Sequence, residues 1–379
     1  MTHPAPDYLT LRAPDNWHAH FRDGALLDFL VPTFADGGWR RRIVAEPNTT
    51  PPILTGAQAL AYRDRIEAIA KAADPASTLE VVPTIQITET TTAEVVREAH
   101  RCGVSVGKVY PFMVTTHSGN GVNDYDRIWP ALEAAEEVGS IVQFHGEHPD
   151  TEVEGLRKEA AFTEILDRIR RRFPALRLTM EHITSRAAVD WVAAQDDCVG
   201  ASITVHHLYT TVDDVLGYSP RSRGLMRVHC GCKPQPKWRD DRAALIETVL
   251  SGHPRFFYGG DDAAHLRRNK EAAASACGVW NTAVALPLLV TLFEEHGRLP
   301  RLEPFVAEFG ADFYGYPPNA ETVTLVRDTW TVPEEVAVPA LGDAIVPMWA
   351  GETLDWRVLG PGATGPSGEA AASTTEFRR

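Results

Sequence analysis

The hydrophobic positions of this 379-residue chain fall into short runs that alternate with longer amphipathic stretches. Several of the short runs show little polar alternation, which is typical of strands covered on both faces in a parallel sheet. We therefore predict eight strands: Leu9 to His18, Arg42 to Glu46, Leu79 to Ile85, Val104 to Tyr110, Ser140 to His145, Leu176 to His182, Val199 to Val205 and Phe256 to Asp261.

Between these strands, apolar residues recur at the three- and four-residue spacing of amphipathic helices. In the segment from Thr92 to Cys102, Val95, Val96 and Ala99 share one face, and Gly103 follows as a stop signal. Similar patterns predict helices over 126–138, 159–172, 186–194 and 239–250, and further helices from 279 to about 313.

About eight strand-then-helix units predict the α/β class and a closed (β/α)8 barrel of the TIM type, with extra C-terminal helices. We expect residues 1–358 to form this barrel as a single domain, with residues 206–237 crossing its mouth. The tail, residues 359–379, is rich in Gly, Ala, Ser, Thr and Pro, so we expect it to be disordered.

Charge and composition narrow the possible partners. The net charge of −14 argues against nucleic acid and against an anionic membrane, because both favour a basic protein surface. The sequence has neither a signal peptide nor a run of about twenty apolar residues, so we expect a cytoplasmic protein. Five scattered cysteines do not suggest a disulfide framework.

The candidate chemistry begins with His18-Ala19-His20, which is followed by Arg22. Residues i and i+2 of an extended strand point to the same face, so the two imidazoles can bind one metal ion. A nearby guanidinium suits chemistry on an anion. Taken alone, the tripeptide is more often a pair of surface histidines at a strand end than a metal site.

Further polar and ionisable side chains that could bind a metal ion or a substrate occur near the ends of later strands. Barrels of this type build their active sites at the carboxyl ends of the strands, so side chains placed there are expected to face one another. They are Asn48 after the second predicted strand, Lys108 in the fourth, His145 and His182 at the ends of the fifth and sixth, and Asp261 at the end of the eighth.

Lys108 lies in a strand that should be buried, where an ammonium group is costly to desolvate and repels metal ions. Burial lowers the pKa of a lysine, and the neutral amine can add carbon dioxide to become a carbamate. A carbamate is a bidentate anion that can bridge two metal ions. The alternative is a lysine whose stem crosses the core and whose ammonium group reaches solvent.

These motifs together resemble the amidohydrolase superfamily and, within it, the dihydroorotase family of the shorter bacterial type. The likeness runs from about Leu11 to Trp356, with the motifs in the family's order. The resembling stretches are W-H-A-H-F-R-D from Trp17, E-P-N-T-T-P-P from Glu46, K-V-Y-P from Lys108, T-T at Thr115 and Thr116, H-G-E from His145, E-H-I-T from Glu181 and G-G-D-D-A-A-H from Gly259.

The resemblance implies a site for two divalent metal ions, most simply zinc. One ion would be bound by His18, His20 and Asp261, and the other by His145 and His182. Lys108, carboxylated by CO2, and a hydroxide would bridge the pair. Cobalt and manganese also suit these ligands.

The resemblance also implies the substrate and the reaction. Arg22, Asn48 and His265 would bind the substrate carboxylate, and Thr115 and Thr116 would lie on a loop that closes over it. The bridging hydroxide would open dihydroorotate to N-carbamoyl-L-aspartate, with Asp261 as the catalytic general acid and base. The reverse reaction is the cyclisation of de novo pyrimidine biosynthesis. No organic cofactor is implied, and a homodimer is expected.

Four positions depart from the family pattern. Pro236 is matched to a position where an apolar residue usually offers its backbone to the pyrimidine ring, yet proline has no N–H to offer. Cys277 stands where a small residue is usual, so both positions are expected on the substrate side of the site. His206 replaces a common glutamine beside His207, and Asp262 adds a second carboxylate next to Asp261.

Two alternatives to this function remain open. One is another cyclic-amide hydrolase, acting on a hydantoin, a dihydropyrimidine or allantoin, but such substrates give no reason for Arg22, Asn48 and His265 to converge. The other is a catalytically dead homologue that serves as a scaffold. A scaffold would be expected to have lost metal ligands, and this sequence retains the whole implied set.

Overall fold

A computed structural model describes residues 8–116 and 118–360 of the chain. Apart from its first two residues, the predicted tail at 359–379 lies outside the described residues. Within these ranges no helix combines the length and the apolar character that crossing a bilayer requires.

The chain begins with strand β1 (Tyr8–Arg12), and the eight strands that follow form one parallel sheet in sequential order. These strands are β2 (Asn16–Ala19), β3 (Arg42–Ala45), β4 (Glu80–Ile87), β5 (Val106–Val109), β6 (Ile141–His145), β7 (Arg177–Glu181), β8 (Val199–Ile203) and β9 (Phe256–Tyr258). Nearly every residue in them is buried, as their apolar composition predicts. The predicted (β/α)8 barrel is confirmed.

The two edge strands, β2 and β9, meet through the residues that follow them. Asp261 donates its backbone N–H to the carbonyl oxygen of His18 at 2.9 Å, and His20 donates to the carbonyl oxygen of Asp262 at 2.9 Å. This seam closes the barrel at its carboxyl end. It also brings His18, His20 and Asp261 together although they are far apart in sequence.

Helices cover the outside of the barrel. Those that connect successive strands are α1 (Gly24–Asp36), α2 (Gly56–Ala73), α3 (Ala93–Arg101), α4 (Trp129–Val138), α5 (Lys158–Arg172) and α6 (Arg186–Ala193). Between β8 and β9 lie α7 (Val205–Tyr209), α8 (Val212–Leu216) and α9 (Arg239–Ser251). After β9 come α10 (Arg267–Lys270), α11 (Ala285–Glu295) and α12 (Phe309–Tyr314).

Local sequence explains where helices begin. Thr92 caps α3 by accepting a hydrogen bond from the N–H of Val95 through its side chain, and Thr55 forms a capping box with Gln58 at the start of α2. Pro130 lies in the first turn of α4, where its missing N–H costs nothing.

The prediction of a single strand from Leu9 to His18 is wrong, because this segment contributes to two different sheets. Strand β1 pairs antiparallel with β10 (Thr322–Thr331), which in turn pairs with β13 (Thr353–Val358). Pro14 cannot donate a hydrogen bond, and the chain turns there before β2 joins the barrel. A short hairpin of β11 (Val336–Val338) and β12 (Asp343–Ile345) completes the C-terminal part.

The amino end of the barrel is filled by aromatic side chains from α12. The ring of Tyr314 stacks on that of Trp17 with centroids 4.3 Å apart, and Phe313 packs in the same buried cluster as Val106 and Ile141, the first residues of β5 and β6. Because this end is packed solid, the opening of the barrel lies at the carboxyl ends of the strands.

Candidate active site

The seam between β2 and the segment after β9 forms one wall of the site. Atom Oδ1 of Asp261 lies 3.1 Å from Nε2 of His20 and 3.5 Å from Nε2 of His18. All three side chains are almost completely buried. Burial raises the pKa of Asp261 to about 7 and lowers that of His20 to about 3, so the imidazole is neutral and its ring nitrogen can donate a lone pair.

Glu181, the last residue of β7, orients His18. Its Oε2 lies 2.6 Å from Nδ1 of His18 and accepts a hydrogen bond from the Ser202 hydroxyl at 2.8 Å. Burial lowers the pKa of His18 well below its usual value, so the neutral ring donates Nδ1–H to this carboxylate and leaves Nε2 free to bind a metal ion. Sequence reasoning assigned Glu181 no role, although it directly precedes His182.

His145 and His182 face His18 across the barrel mouth. The ring of His182 lies 4.8 Å from that of His18 and 4.7 Å from that of His145, measured between centroids. Nε2 of His145 is hydrogen-bonded to Oε2 of Glu147 at 2.8 Å, which directs its other nitrogen away from Glu147. Glu147 is therefore a second carboxylate beside a predicted ligand that sequence reasoning did not single out.

Lys108 is completely buried, so its amine does not reach solvent. Nζ lies 3.3 Å from Oε2 of Glu46, which also accepts a hydrogen bond from the hydroxyl of Tyr110 at 2.7 Å. This contact has the distance of an ion pair without the geometry of a hydrogen bond, since Nζ has no hydrogen-bond partner among the described residues.

The residues present fit a metal centre. In the described part of the chain, Nε2 of His18, Nδ1 of His182 and Nζ of Lys108 are all buried without a hydrogen-bond partner, and all belong to side chains predicted as ligands. Buried polar atoms of this kind are rare unless something binds them. One ligand atom each from His18, His182 and Asp261 lies within 4.8 Å of the others.

Positive and polar groups line the outer part of the same pocket. Nη2 of Arg22 lies 3.0 Å from Nε2 of His265, and Nε of Arg22 donates to the carbonyl oxygen of Ala264 at 3.0 Å. Oδ1 of Asn48 lies 2.8 Å from Nδ1 of His20, so Asn48 connects a predicted metal ligand to the polar groups of the outer pocket. Arg22 and Asn48 line the cleft together with Asp261, and His265 lies against Arg22.

The segment that carries Thr115 and Thr116 closes over this pocket. Nδ2 of Asn48 donates to the carbonyl oxygen of Thr116 at 3.2 Å, and the Thr116 hydroxyl donates to that of Cys277 at 3.4 Å. Thr115, Thr116 and Cys277 all line the cleft.

The structure does not bring Pro236 into the pocket. Among the described residues that line the cleft, Lys233 represents this segment, and Pro236 is buried three residues further on. The carbonyl oxygen of Pro234 instead turns inward, towards Nε2 of His207 at 3.0 Å. The sequence could not predict which residue of this segment faces the cleft, because a segment without regular secondary structure has no fixed side-chain periodicity.

Two other unusual positions lie in the wall behind the cleft. His206, His207 and Cys232 form a buried group that could hold a metal ion. Nδ1 of His206 is hydrogen-bonded to Asn281 at 3.2 Å, whereas its Nε2 has no hydrogen-bond partner among the described residues, and Nε2 of His207 is hydrogen-bonded to the carbonyl oxygen of Pro234 at 3.0 Å. The Asp262 carboxylate accepts hydrogen bonds from the Asn16 amide at 3.1 Å and from the Thr282 hydroxyl at 2.7 Å, so these partners hold it within the barrel wall.

Comparison with known proteins identifies the family. No family model matches the chain. The dihydroorotase of Marinobacter nauticus is 41% identical over 352 residues, which cover 92% of this chain and 98% of that protein. The crystal structure of the dihydroorotase of Saccharomyces cerevisiae in complex with 5-fluoroorotic acid superposes with a TM-score of 0.83 at 29% identity, covering 93% of this chain and 99% of that one.

Hydantoinases share the fold at greater distance. The L-hydantoinase (dihydropyrimidinase) of Arthrobacter aurescens has a TM-score of 0.75 at 17% identity, covering 93% of this chain and 84% of that one. Identity this low shows the fold alone, whereas the full-length match to M. nauticus shows the family. Dihydroorotases are metal-dependent hydrolases of cyclic amides. The predicted resemblance is confirmed: this chain belongs to the dihydroorotase family, within the amidohydrolase superfamily.

Proposed function

We propose that this chain catalyses the reversible cyclisation of N-carbamoyl-L-aspartate to L-dihydroorotate in de novo pyrimidine biosynthesis. The observation that carries the proposal is the position of Arg22, His265 and Asn48 beside the histidine and aspartate cluster. These groups suit a substrate that carries a carboxylate on the ring whose amide is cleaved. The S. cerevisiae relative was solved with 5-fluoroorotic acid, a pyrimidine with such a carboxylate.

The unpartnered ring nitrogens support a pair of divalent ions, most simply zinc. In this proposal His18, His20 and Asp261 would hold one ion and His145 and His182 the other, with Lys108, carboxylated by CO2, as a ligand shared by both. Ions bound there would supply Lewis acidity towards the amide carbonyl and lower the pKa of water. Carboxylation would turn the unpartnered amine of Lys108 into an anion with two ligand oxygens.

Asp261 is proposed to move the proton. Its Oδ1 atom lies 3.5 Å from Nε2 of His18, in β2, and 3.1 Å from Nε2 of His20, the residue that follows β2, so a carboxylate oxygen is placed at the proposed metal site to accept and release a proton. During hydrolysis it would take a proton from the attacking water and deliver it to the departing ring nitrogen. In the biosynthetic direction the same oxygen would remove the proton from the carbamoyl nitrogen.

Binding and orientation are proposed to come from the polar side of the pocket. Arg22 and His265 would hold the substrate carboxylate, while Asn48 would fix it relative to His20. Thr115, Thr116 and Cys277 would cover the ring and exclude water. Lys233, which lines the cleft, takes the place proposed for Pro236 along this segment. A homodimer in the cytoplasm remains our expectation for the assembled enzyme.

Comparison of substrates tests this proposal. The purified protein is expected to hydrolyse dihydroorotate with a kcat/KM far above that for hydantoin or dihydrouracil, because only dihydroorotate offers a carboxylate to Arg22. Turnover of hydantoin in excess of dihydroorotate would contradict the assignment. A protein that binds no metal and turns over neither substrate would support a scaffold role instead.

A further inference from the structure

Lys270, the last residue of α10, is a buried cation outside the proposed catalytic set. Its side chain is only 2% exposed, and Nζ donates hydrogen bonds to the carbonyl oxygens of Gly231 and Gly278, both at 2.8 Å. Gly278 also donates its N–H to the oxygen of Gly231 at 2.9 Å. One ammonium group therefore ties together two segments that are far apart in sequence.

Both segments form walls of the cleft. The first continues from Gly231 to Lys233, which lines the cleft, and the second contributes Cys277 and Gly278. The backbone carbonyl of Cys277 lies 3.0 Å from Nε2 of His265. The peptide group that contains the Cys277 carbonyl also contains the Gly278 N–H, which donates to the same Gly231 oxygen that Lys270 holds, so Lys270 helps to fix the carbonyl that His265 contacts.

Packing around Gly278 leaves little freedom for this arrangement. Gly278 has φ of +152°, and a Cβ atom built on it would lie 2.3 Å from the carbonyl oxygen of Ala263 and 3.0 Å from Cδ2 of His265. The backbone of Gly278 therefore packs directly against the ring of His265. A small movement of this peptide would displace the ring, which lies beside Arg22.

Burying the ammonium group of Lys270 costs desolvation free energy. An ammonium group removed from water is stabilised only by the hydrogen bonds it makes, and an apolar side chain of similar length would avoid the desolvation penalty. Burial also lowers the pKa of Lys270. A residue retained for packing alone would not need to donate to two carbonyl groups of the cleft.

We propose that Lys270 is a positioning residue for substrate binding, which sets the place of His265 by holding the Gly231 and Gly278 carbonyl groups at a fixed separation. This inference rests on the proposed function, because His265 acts there on the substrate carboxylate. Lys270 itself does not line the cleft among the described residues. Its loss should therefore weaken binding of dihydroorotate while the metal ligands and Asp261 stay in place.

Steady-state kinetics of Lys270→Met test the proposal, because methionine keeps the length of the side chain and removes the donors. The KM for dihydroorotate is expected to rise about tenfold or more while kcat changes less than about threefold. Lys270→Arg, which can still donate to two carbonyl groups, should recover part of the loss. Metal content should equal that of the parent in both variants.

Lys237→Met is the matched control. Lys237 is also buried, but its Nζ donates to the carbonyl oxygen of Gln235 within its own segment. Both kinetic constants of this variant are expected to stay within about twofold of the parent. Should Lys270→Met fail to fold, Lys270→Gln, which retains one N–H donor group, is measured by the same criterion.

An unchanged KM in the folded Lys270 variant, or a loss that falls on kcat with KM unaltered, would overturn the inference. An equal rise of KM in the Lys237 control would also overturn it, because the effect would then be general loosening. Failure of the parent protein to turn over dihydroorotate would instead contradict the proposed function.

Discussion

At the scale of single residues, the account depends on buried side chains whose polar atoms make no hydrogen bond among the described residues. A buried imidazole nitrogen or amine without a hydrogen bond costs free energy that folding alone does not recover. His18, His182 and Lys108 each present such an atom at the mouth of one barrel. We interpret this cost as the preorganisation of a metal centre.

Replacing Lys108 with alanine is expected to lower metal content and activity together. The substitution removes the proposed bridging ligand while leaving the histidines in place. Metal analysis of the purified variant, read beside dihydroorotate hydrolysis, measures both effects. Isotopically labelled bicarbonate should give a carbamate signal in the parent by NMR and none in the variant. Full activity in Lys108→Ala would refute the carbamate.

Arg22→Met is expected to separate binding from metal chemistry. Loss of a charge-assisted contact to the substrate carboxylate should lower kcat/KM by about 100-fold, mainly through KM. Metal content should not change, because Arg22 is not a proposed ligand and its guanidinium lies within hydrogen-bond distance of Ala264 and His265. Arg63→Met, which affects a partly exposed arginine on α2, is the control. Parental kinetics in Arg22→Met would exclude the carboxylate clamp.

At the scale of elements, backbone strain is concentrated where strands end and the site begins. Arg22, His182 and Asp261 have φ angles of 66°, 41° and 43°, in the left-handed region that residues other than glycine seldom adopt. Neighbouring elements must hold these conformations. Helix α5 does so for His182, because the buried carboxylate of Glu159 accepts hydrogen bonds from both N–H groups and both hydroxyls of Thr184 and Ser185.

Glu159→Gln is therefore expected to destabilise the fold and loosen the turn after His182. An amide can accept only at its one oxygen, so the change should lower the free energy of unfolding by about 3 kcal/mol. Urea denaturation measures it, and metal affinity should fall as well. Glu164→Gln, at an exposed position of the same helix, should leave both quantities unchanged. Equal stability of the two variants would contradict this role.

The secondary-structure elements also show which features could be predicted from the sequence and which could not. Continuous apolar runs predicted the barrel strands, because a strand that is buried on both faces has apolar residues at successive positions. The division of residues 9–18 between two sheets was not visible, since its cause is the pairing of β1 with β10 more than three hundred residues away. The carboxylates of Glu181 and Glu147 were missed as well, because their role depends on which imidazole lies beside them in space.

At the scale of the whole molecule, barrel closure creates the site. Residues far apart in the chain, from His18 to Asp261, meet because β2 and the segment after β9 share backbone hydrogen bonds at the carboxyl end. The order of the motifs along the sequence could predict this convergence, since the geometry of the fold is known once the strands are counted. The pocket's outer wall could not be predicted in the same way, and Lys233 rather than Pro236 lines it.

The central claim is that the histidine, lysine and aspartate side chains at the mouth of the barrel hold two divalent ions on which hydrolysis depends. Its most direct test is dihydroorotate turnover by protein stripped with a chelator and then titrated with zinc. The account predicts that activity is lost on stripping and returns in proportion to added zinc up to two equivalents per chain. Undiminished turnover by the metal-free protein would contradict it.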